Sequence, residues 1–307
     1  MADDLDAELY REGRRRKRRF SFWRVVGALL LLVLAFVAGR ASGLVGGLSG
    51  PHVVRIPVTG LITTDRKRID AIARFARDDS VVAAIVYVDS PGGTVGGGEA
   101  LYDALTRLAA KKPLVTVMGG TAASAGYMTS LPAARIFALD STLTGSIGVI
   151  LETGNVAGLL DRIGVSAEAI TSGPLKDQPS FTRGLTTEGR AYLHELVMDL
   201  YGQFVAKVAA GRHMDEAAVR LLADGRAYTG RQALKLGLVD EIGGETQARA
   251  WLAREKHVSQ ELPVVEMKAG SFLERTFGAA LPGIWPFAWS ALLPQAGAWA
   301  IWQPGAS

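Results

Sequence analysis

The chain has 307 residues, of which 49% are hydrophobic and 21% charged, so disorder throughout is excluded and one sizeable domain or two small ones are expected. It contains no cysteine, which excludes a disulfide framework, a cysteine nucleophile and a cysteine-built zinc site. The net charge of +4 is unevenly placed. Residues 1–40 carry nine Lys and Arg against five Asp and Glu, and the rest carries twenty-five of each, so no nucleic-acid footprint spreads over the fold.

Arg14, Arg15, Arg16, Lys17, Arg18 and Arg19 form an unbroken basic run ahead of Phe20–Trp23 and an apolar stretch from Val25 to Gly39. Fifteen residues alone fall short of the roughly twenty that span a bilayer. Snorkelling of Arg24 and an interfacial Trp23 extend the span to 20–40. A cleaved signal peptide is the rival reading, with small residues at Gly39 and Ala41; Arg40 between them and the long basic head argue for a retained anchor. The positive-inside rule then puts residues 1–19 in the cytoplasm and everything after about residue 45 outside it.

A linker follows at 41–52. Val53–Val58 reads as a strand, Arg66–Arg77 as an amphipathic helix, and the apolar run Val82–Val88 as a strand buried on both faces. Helix Thr94–Ala110, strand Leu114–Met118 and helix Ala123–Leu131 come next. Strands are expected at Arg135–Ala138, Ser146–Ile150 and Ser166–Ile170, with a helix near Asn155–Ile163 between the last two. Helices close the domain at Thr187–Ala210, Asp215–Leu222, Gly230–Leu236 and Glu245–Lys256. This alternation predicts an α/β domain with a largely parallel sheet over 53–267. The remainder, 268–307, is a Trp/Pro-rich tail whose last thirty-two residues carry no charge and hold four of the six tryptophans. Its prolines speak against a second membrane helix, and its tryptophans suit either the headgroup layer or packing on the domain.

Three segments could carry chemistry. Asp89-Ser90-Pro91-Gly92-Gly93 ends a buried strand and opens a helix, where glycines allow a sharp turn with N–H groups aimed at a ligand. No phosphate-loop register fits it. Ala122-Ala123-Ser124-Ala125-Gly126 resembles a nucleophile elbow on a strand–turn–helix junction, with Ala122 where the first Gly usually stands; a helix N-cap serine is the bland alternative. A serine needs a base. His52, His194, His213 and His257 are the only histidines, and each has a surface or helix-face reading. A lysine serves instead when burial makes its amine a proton acceptor. Lys176, in Thr171-Ser172-Gly173-Pro174-Leu175-Lys176-Asp177, is better placed than Lys111, Lys112 or Lys235, although a solvated lysine paired with Asp177 fits the same segment. No His/Asp/Glu spacing points to a metal.

Taken in order, these segments, together with Thr144-Gly145-Ser146-Ile147-Gly148-Val149 and the run from Ala223-Asp224-Gly225-Arg226 to Asp240, resemble the signal peptide peptidase A family of serine–lysine peptidases (S49), in its short, single-repeat, membrane-anchored form. The resemblance covers roughly residues 53–250. It implies a crotonase/ClpP-like fold with Ser124 as nucleophile and Lys176 as general base. Ser146 would hold the lysine amine, and the N–H groups of Gly93 and Ala125 would form the oxyanion hole. It further implies hydrophobic peptide substrates such as cleaved signal peptides, no cofactor, and a homo-oligomer in which Ser124 of one protomer meets Lys176 of another. For such a dyad the Asp177 side chain should point away, because a close carboxylate holds the proton on the amine. A crotonase-type acyl-CoA enzyme would share the oxyanion loops without needing the dyad, and a silent membrane scaffold would need neither.

Overall fold

The computed structural model describes residues 26–31, 50–267 and 299–301. The chain divides after Gly50 into two units. In the first, residues 26–31 are helical and Leu29, Leu30 and Leu31 are exposed. The rest of the expected anchor, and the basic segment before it, lie outside the described residues. Among the described residues no helix is long and apolar enough to cross a membrane.

The second unit runs β1 (His52–Ile62), α1 (Arg66–Phe75), β2 (Val81–Thr94), α2 (Val95–Ala109), β3 (Leu114–Ala123), α3 (Ala125–Ser130), β4 (Arg135–Ala138), β5 (Leu143–Gly145) and α4 (Ala157–Arg162). It continues through α5 (Thr187–Arg212), α6 (Glu216–Leu222), β6 (Ala227–Thr229), α7 (Gly230–Lys235), β7 (Glu241–Ile242), α8 (Glu245–Lys256), β8 (Val264–Glu266) and β9 (Trp299–Ile301). The sheet order is β6-β5-β3-β2-β1-β8, with β4 and β7 branching from β3, and β9 from β2. Pairings are parallel except β5 with β6 and β2 with β9. The expected α/β domain with a largely parallel sheet is what forms.

Helices cover both faces, which is why the middle of β2 reads as a continuous apolar run rather than an alternating one, whereas β1 is broken by Arg55, which pairs with Glu245 and Glu266. Ala84, Val86 and Val88 share one buried cluster with Leu101, Leu105 and Leu108 of α2 and with Phe204, Val205 and Val208 of α5. Ala83, Ile85, Val115 and Val117 face the other way, onto Ala248, Trp251 and Leu252 of α8. Each fully buried side chain of this size contributes about 1.5–3 kcal/mol through removal from water.

Two expected strands do not form. At Ser146–Ile150 the strand stops just before, at Gly145, because Gly145 and Ser146 both take positive φ (77 and 47) and turn the chain out of the extended region. Ser166–Ile170 alternates like a half-buried strand, but nothing among the described residues covers it: all five residues are exposed, Ile170 to 98%. The β6, β7 and β8 strands, two or three residues each, carry too few residues to show a period.

Of the tail, only Trp299–Ile301 is described. These residues pair antiparallel with Gly92–Thr94 of β2, a contact with the domain. The remaining residues of the tail, on which the expected membrane contact rests, lie outside the described ones.

Candidate active site

Two strand-to-helix turns meet at one end of the sheet. The first leaves β2 through Gly92 and Gly93. Side-chain oxygens brace it: Ser90 Oγ donates to the Gly60 carbonyl (2.6 Å) and accepts from the Gly92 N–H (3.1 Å). Asp89 Oδ1 accepts from the Thr121 N–H (3.0 Å), tying the end of β2 to β3. A Cβ on Gly93 would overlap the Ile62 carbonyl, so a glycine is required for β2 to lie this close to the end of β1.

The second turn leaves β3 through Ser124, which sits immediately before α3 with φ 55 and ψ −120, a backbone conformation that residues with a Cβ rarely adopt. Neighbouring bonds hold it there. The Ser124 N–H donates to the Gly145 carbonyl (2.8 Å), its carbonyl accepts from the Met128 N–H (2.9 Å), and Thr144 Oγ1 donates to the Ala122 carbonyl (2.7 Å). Gly126 completes the packing, since a Cβ there would stand 2.9 Å from the Ser90 carbonyl oxygen. Ser124 is 1% exposed, and its Oγ is buried without a hydrogen-bond partner. It therefore does not cap α3 through its side chain, which removes the N-cap alternative.

Ser146 lies beside it. Ala123 and Gly145 are paired across β3 and β5, so the two serines are the next residues along adjacent strands. Ser146 is buried, has φ 47, and donates its N–H to the Arg226 carbonyl (2.9 Å). Among the described residues four non-glycines have positive φ. His213 and His257 are left-handed C-caps of α5 and α8, an ordinary use. The other two are Ser124 and Ser146. Ala125, buried at the first position of α3, has an N–H without an intrahelical acceptor.

Lys176 makes no hydrogen bond to this pair within the protomer. It lies in the exposed segment between β5 and α5, its amine makes no hydrogen bond or ion pair among the described residues, and Ser124 Oγ has no partner. From 151 to 179 no residue is buried. Asp177 points at Arg183, with which it forms an ion pair. That hydrogen bond, with the hydroxyl of Ser180 and the guanidinium charge adding to it, holds the Asp177 carboxyl below its ordinary value against the opposing effect of burial.

A cavity of about 390 Å³ opens beside Ser146, lined by Val149, Ile150, Val197, Met198 and Tyr201 among others. The sequence reading missed it, because its walls come from three segments remote in sequence, around Ser146–Ile150, Val197–Tyr201 and Ala223–Gly225. It named Ser90 within the Gly-rich turn but not its bracing role, although a serine two residues before a glycine is a recurring turn device. Among the described residues no group of three or more His, Cys, Asp or Glu is arranged to hold a metal ion.

Comparison with known proteins gives two family matches: peptidase family S49 over residues 106–259 and Clp protease over 69–142. A candidate protease of Synechocystis sp. is 44% identical over 202 residues, 66% of this chain and 73% of that protein. A candidate signal peptide peptidase SppA of Enterococcus faecium is 35% identical over 238 residues, 72% of this chain and 68% of that protein. The chloroplastic serine protease SPPA of Arabidopsis thaliana is 30% identical over 236 residues, 76% of this chain but 34% of that longer protein.

Proposed function

The chain belongs to peptidase family S49 and is a serine-type peptidase, and from that premise we propose that Ser124 is the nucleophile, Lys176 the general base and Ser146 the hydroxyl that orients the amine. The observation that carries this reading is the backbone of Ser124: a strained, buried serine on a strand–turn–helix junction, with an Oγ committed to no bond.

The steps follow from the chemistry of the groups. The neutral Lys176 amine takes the Ser124 proton as Oγ attacks the scissile carbonyl carbon. Charge develops on the carbonyl oxygen, and the N–H groups of Gly93 and Ala125 stabilise it, each donor being worth about 3 kcal/mol. The resulting ammonium passes its proton to the leaving nitrogen, the C–N bond breaks, and an acyl-enzyme remains. Lys176 then deprotonates a water that releases the acyl group and regenerates Ser124.

We take the dyad to be composite, with Lys176 supplied by a second copy in a homo-oligomer; the unpartnered Ser124 Oγ and the exposed position of Lys176 support this reading. The uncovered side chains of the Lys176 segment support this: Leu159, Ile163 and Val165 are 59%, 62% and 47% exposed, and a second copy would bury them. The apolar cavity beside Ser146 supports hydrophobic peptide substrates. Together with the basic run and apolar stretch of the first 40 residues, it supports a peptidase held in a bacterial cytoplasmic membrane by a single N-terminal span. The catalytic domain would lie outside the cytoplasm, clearing remnant signal peptides.

The test is turnover of an unstructured apolar peptide, with labelling by a serine-directed probe. Ser124→Ala should lose both turnover and labelling, Lys176→Ala should lose turnover, and Ser146→Ala should be impaired but active. Wild-type kcat in either of the first two variants overturns the dyad.

A further inference from the structure

The segment that carries Lys176 presents an electrostatic difficulty. Asp177 follows directly, and a free carboxylate beside an amine favours the protonated amine, which cannot act as a base. The segment resolves this by folding back on itself. Val156 donates its N–H to the Phe181 carbonyl (2.8 Å), and the Gln178 side chain lies against Gly189 in the first turn of α5. Thr186 caps that turn by accepting from the Gly189 N–H (2.9 Å). Residues 177 and 183 are thereby held opposite each other, and the Arg183 guanidinium pairs with the Asp177 carboxylate. Among the described residues Arg183 is the one ion-pair partner of Asp177, and the Lys176 amine has neither an ion pair nor a hydrogen bond.

We propose that Arg183 is a positioning residue of this peptidase, which draws the Asp177 carboxylate away from Lys176 and neutralises it so that the amine can serve as a base near neutral pH. The proposal rests on the assignment of Lys176 as base. Arg183 does not touch substrate or the reacting atoms; it acts through Asp177. Surface ion pairs usually contribute little to stability. Here the pair has a different consequence, because its carboxylate is covalently fixed one residue from the base.

Removing Arg183 frees one negative charge beside the amine. For side chains on adjacent residues in a partly solvated segment, the acid limb of kcat/KM should move to higher pH by roughly 0.5 to 1.5 units. At neutral pH, on the acid limb, kcat/KM should therefore fall by about 3- to 30-fold.

The experiment records kcat/KM against pH for the full-length enzyme in detergent, using an unstructured apolar peptide. Arg183→Met should move the acid limb upward by that amount and keep its alkaline plateau. Arg183→Lys, which retains the charge, should keep the wild-type limb. Asp177→Asn combined with Arg183→Met should return the limb to wild type, which a merely structural role for Arg183 would not do. An unmoved limb in Arg183→Met, or one that stays displaced in the double variant, overturns the proposal. If Arg183→Met is inactive, the double variant decides: recovered turnover supports the proposal, and none, while Asp177→Asn alone remains active, overturns it. Lys176→Ala separates the two claims. Wild-type turnover there overturns the base assignment itself, whereas an inactive Lys176→Ala with an unmoved Arg183→Met limb overturns only the role of Arg183.

Discussion

Replacing Ser124 by glycine should make the protein more stable while abolishing catalysis. At φ 55 and ψ −120 a residue with a Cβ is strained by about 1–3 kcal/mol, and glycine relieves that strain. The buried, unpartnered Oγ adds a desolvation cost of about 1–3 kcal/mol, reduced wherever an assembled neighbour supplies a partner. Against these stands the extra freedom of glycine in the unfolded chain, about 0.5–1 kcal/mol. The net expectation is a gain of about 2 kcal/mol, or roughly 4–8 °C in Tm for a domain of this size. Ser124→Ala removes the hydroxyl but keeps the Cβ, so it should gain the hydroxyl's cost alone, about 1 kcal/mol at the low end of that range, and less than Ser124→Gly. Calorimetric scans of wild type and both variants, at matched oligomer concentration, check this. A Ser124→Gly melting point at or below wild type refutes the argument that the turn stores strain. Equal gains in both variants assign the whole effect to the hydroxyl.

Mixing inactive Ser124→Ala with inactive Lys176→Ala protomers should restore turnover, because some interfaces then join an intact serine to an intact lysine; no recovery in verified mixed oligomers counts against composite sites. A further expectation concerns acid stability. Arg212, with its side chain 9% exposed, donates to both carboxylate oxygens of Asp240 (2.6 and 3.1 Å), and the Ile136 N–H donates to the same group. Burial alone would raise the Asp240 carboxyl, but the Arg212 bonds and charge outweigh it and hold the group below its ordinary value. The stability this contributes is therefore complete above the ordinary aspartate range, near pH 4, and is lost as pH falls through the depressed folded value. Asp240→Asn should cost about 3 kcal/mol at neutral pH, since it leaves a buried guanidinium without its counter-charge, and should flatten the acid side of the curve. Urea melts between pH 3 and pH 7 read both effects; an unchanged slope on the acid side refutes the linkage.

The central strands were legible because burial on both faces leaves a plain mark: the Val82–Val88 run has no polar face to show. Boundaries were less so. β2 runs on to Thr94 because its Gly-rich end pairs with both Leu61–Ile62 and Gly92–Thr94's own antiparallel neighbour, contacts remote in sequence. Ser166–Ile170 had the alternation of a strand but no sheet to join, and periodicity cannot tell a face that meets the core from one left uncovered. At the site, the small residues around Ser124 announced the turn, but its strain did not show, because a non-glycine at positive φ leaves no signature in composition. Exposure of Lys176 was one of two readings the sequence left open, as a solvated lysine paired with Asp177; the fold shows the lysine exposed and Asp177 paired with Arg183 instead.

That sparse surrounding has a consequence for how the enzyme fails. Ser124 belongs to the cooperative core, whereas the stretch from 151 to 179 has no buried residue to couple it to global unfolding. Amide exchange there should be rapid while the strand ahead of Ser124 remains protected. In a dilute protomer the two halves of the dyad thus belong to different melting units, and on warming turnover should disappear several degrees before the calorimetric transition.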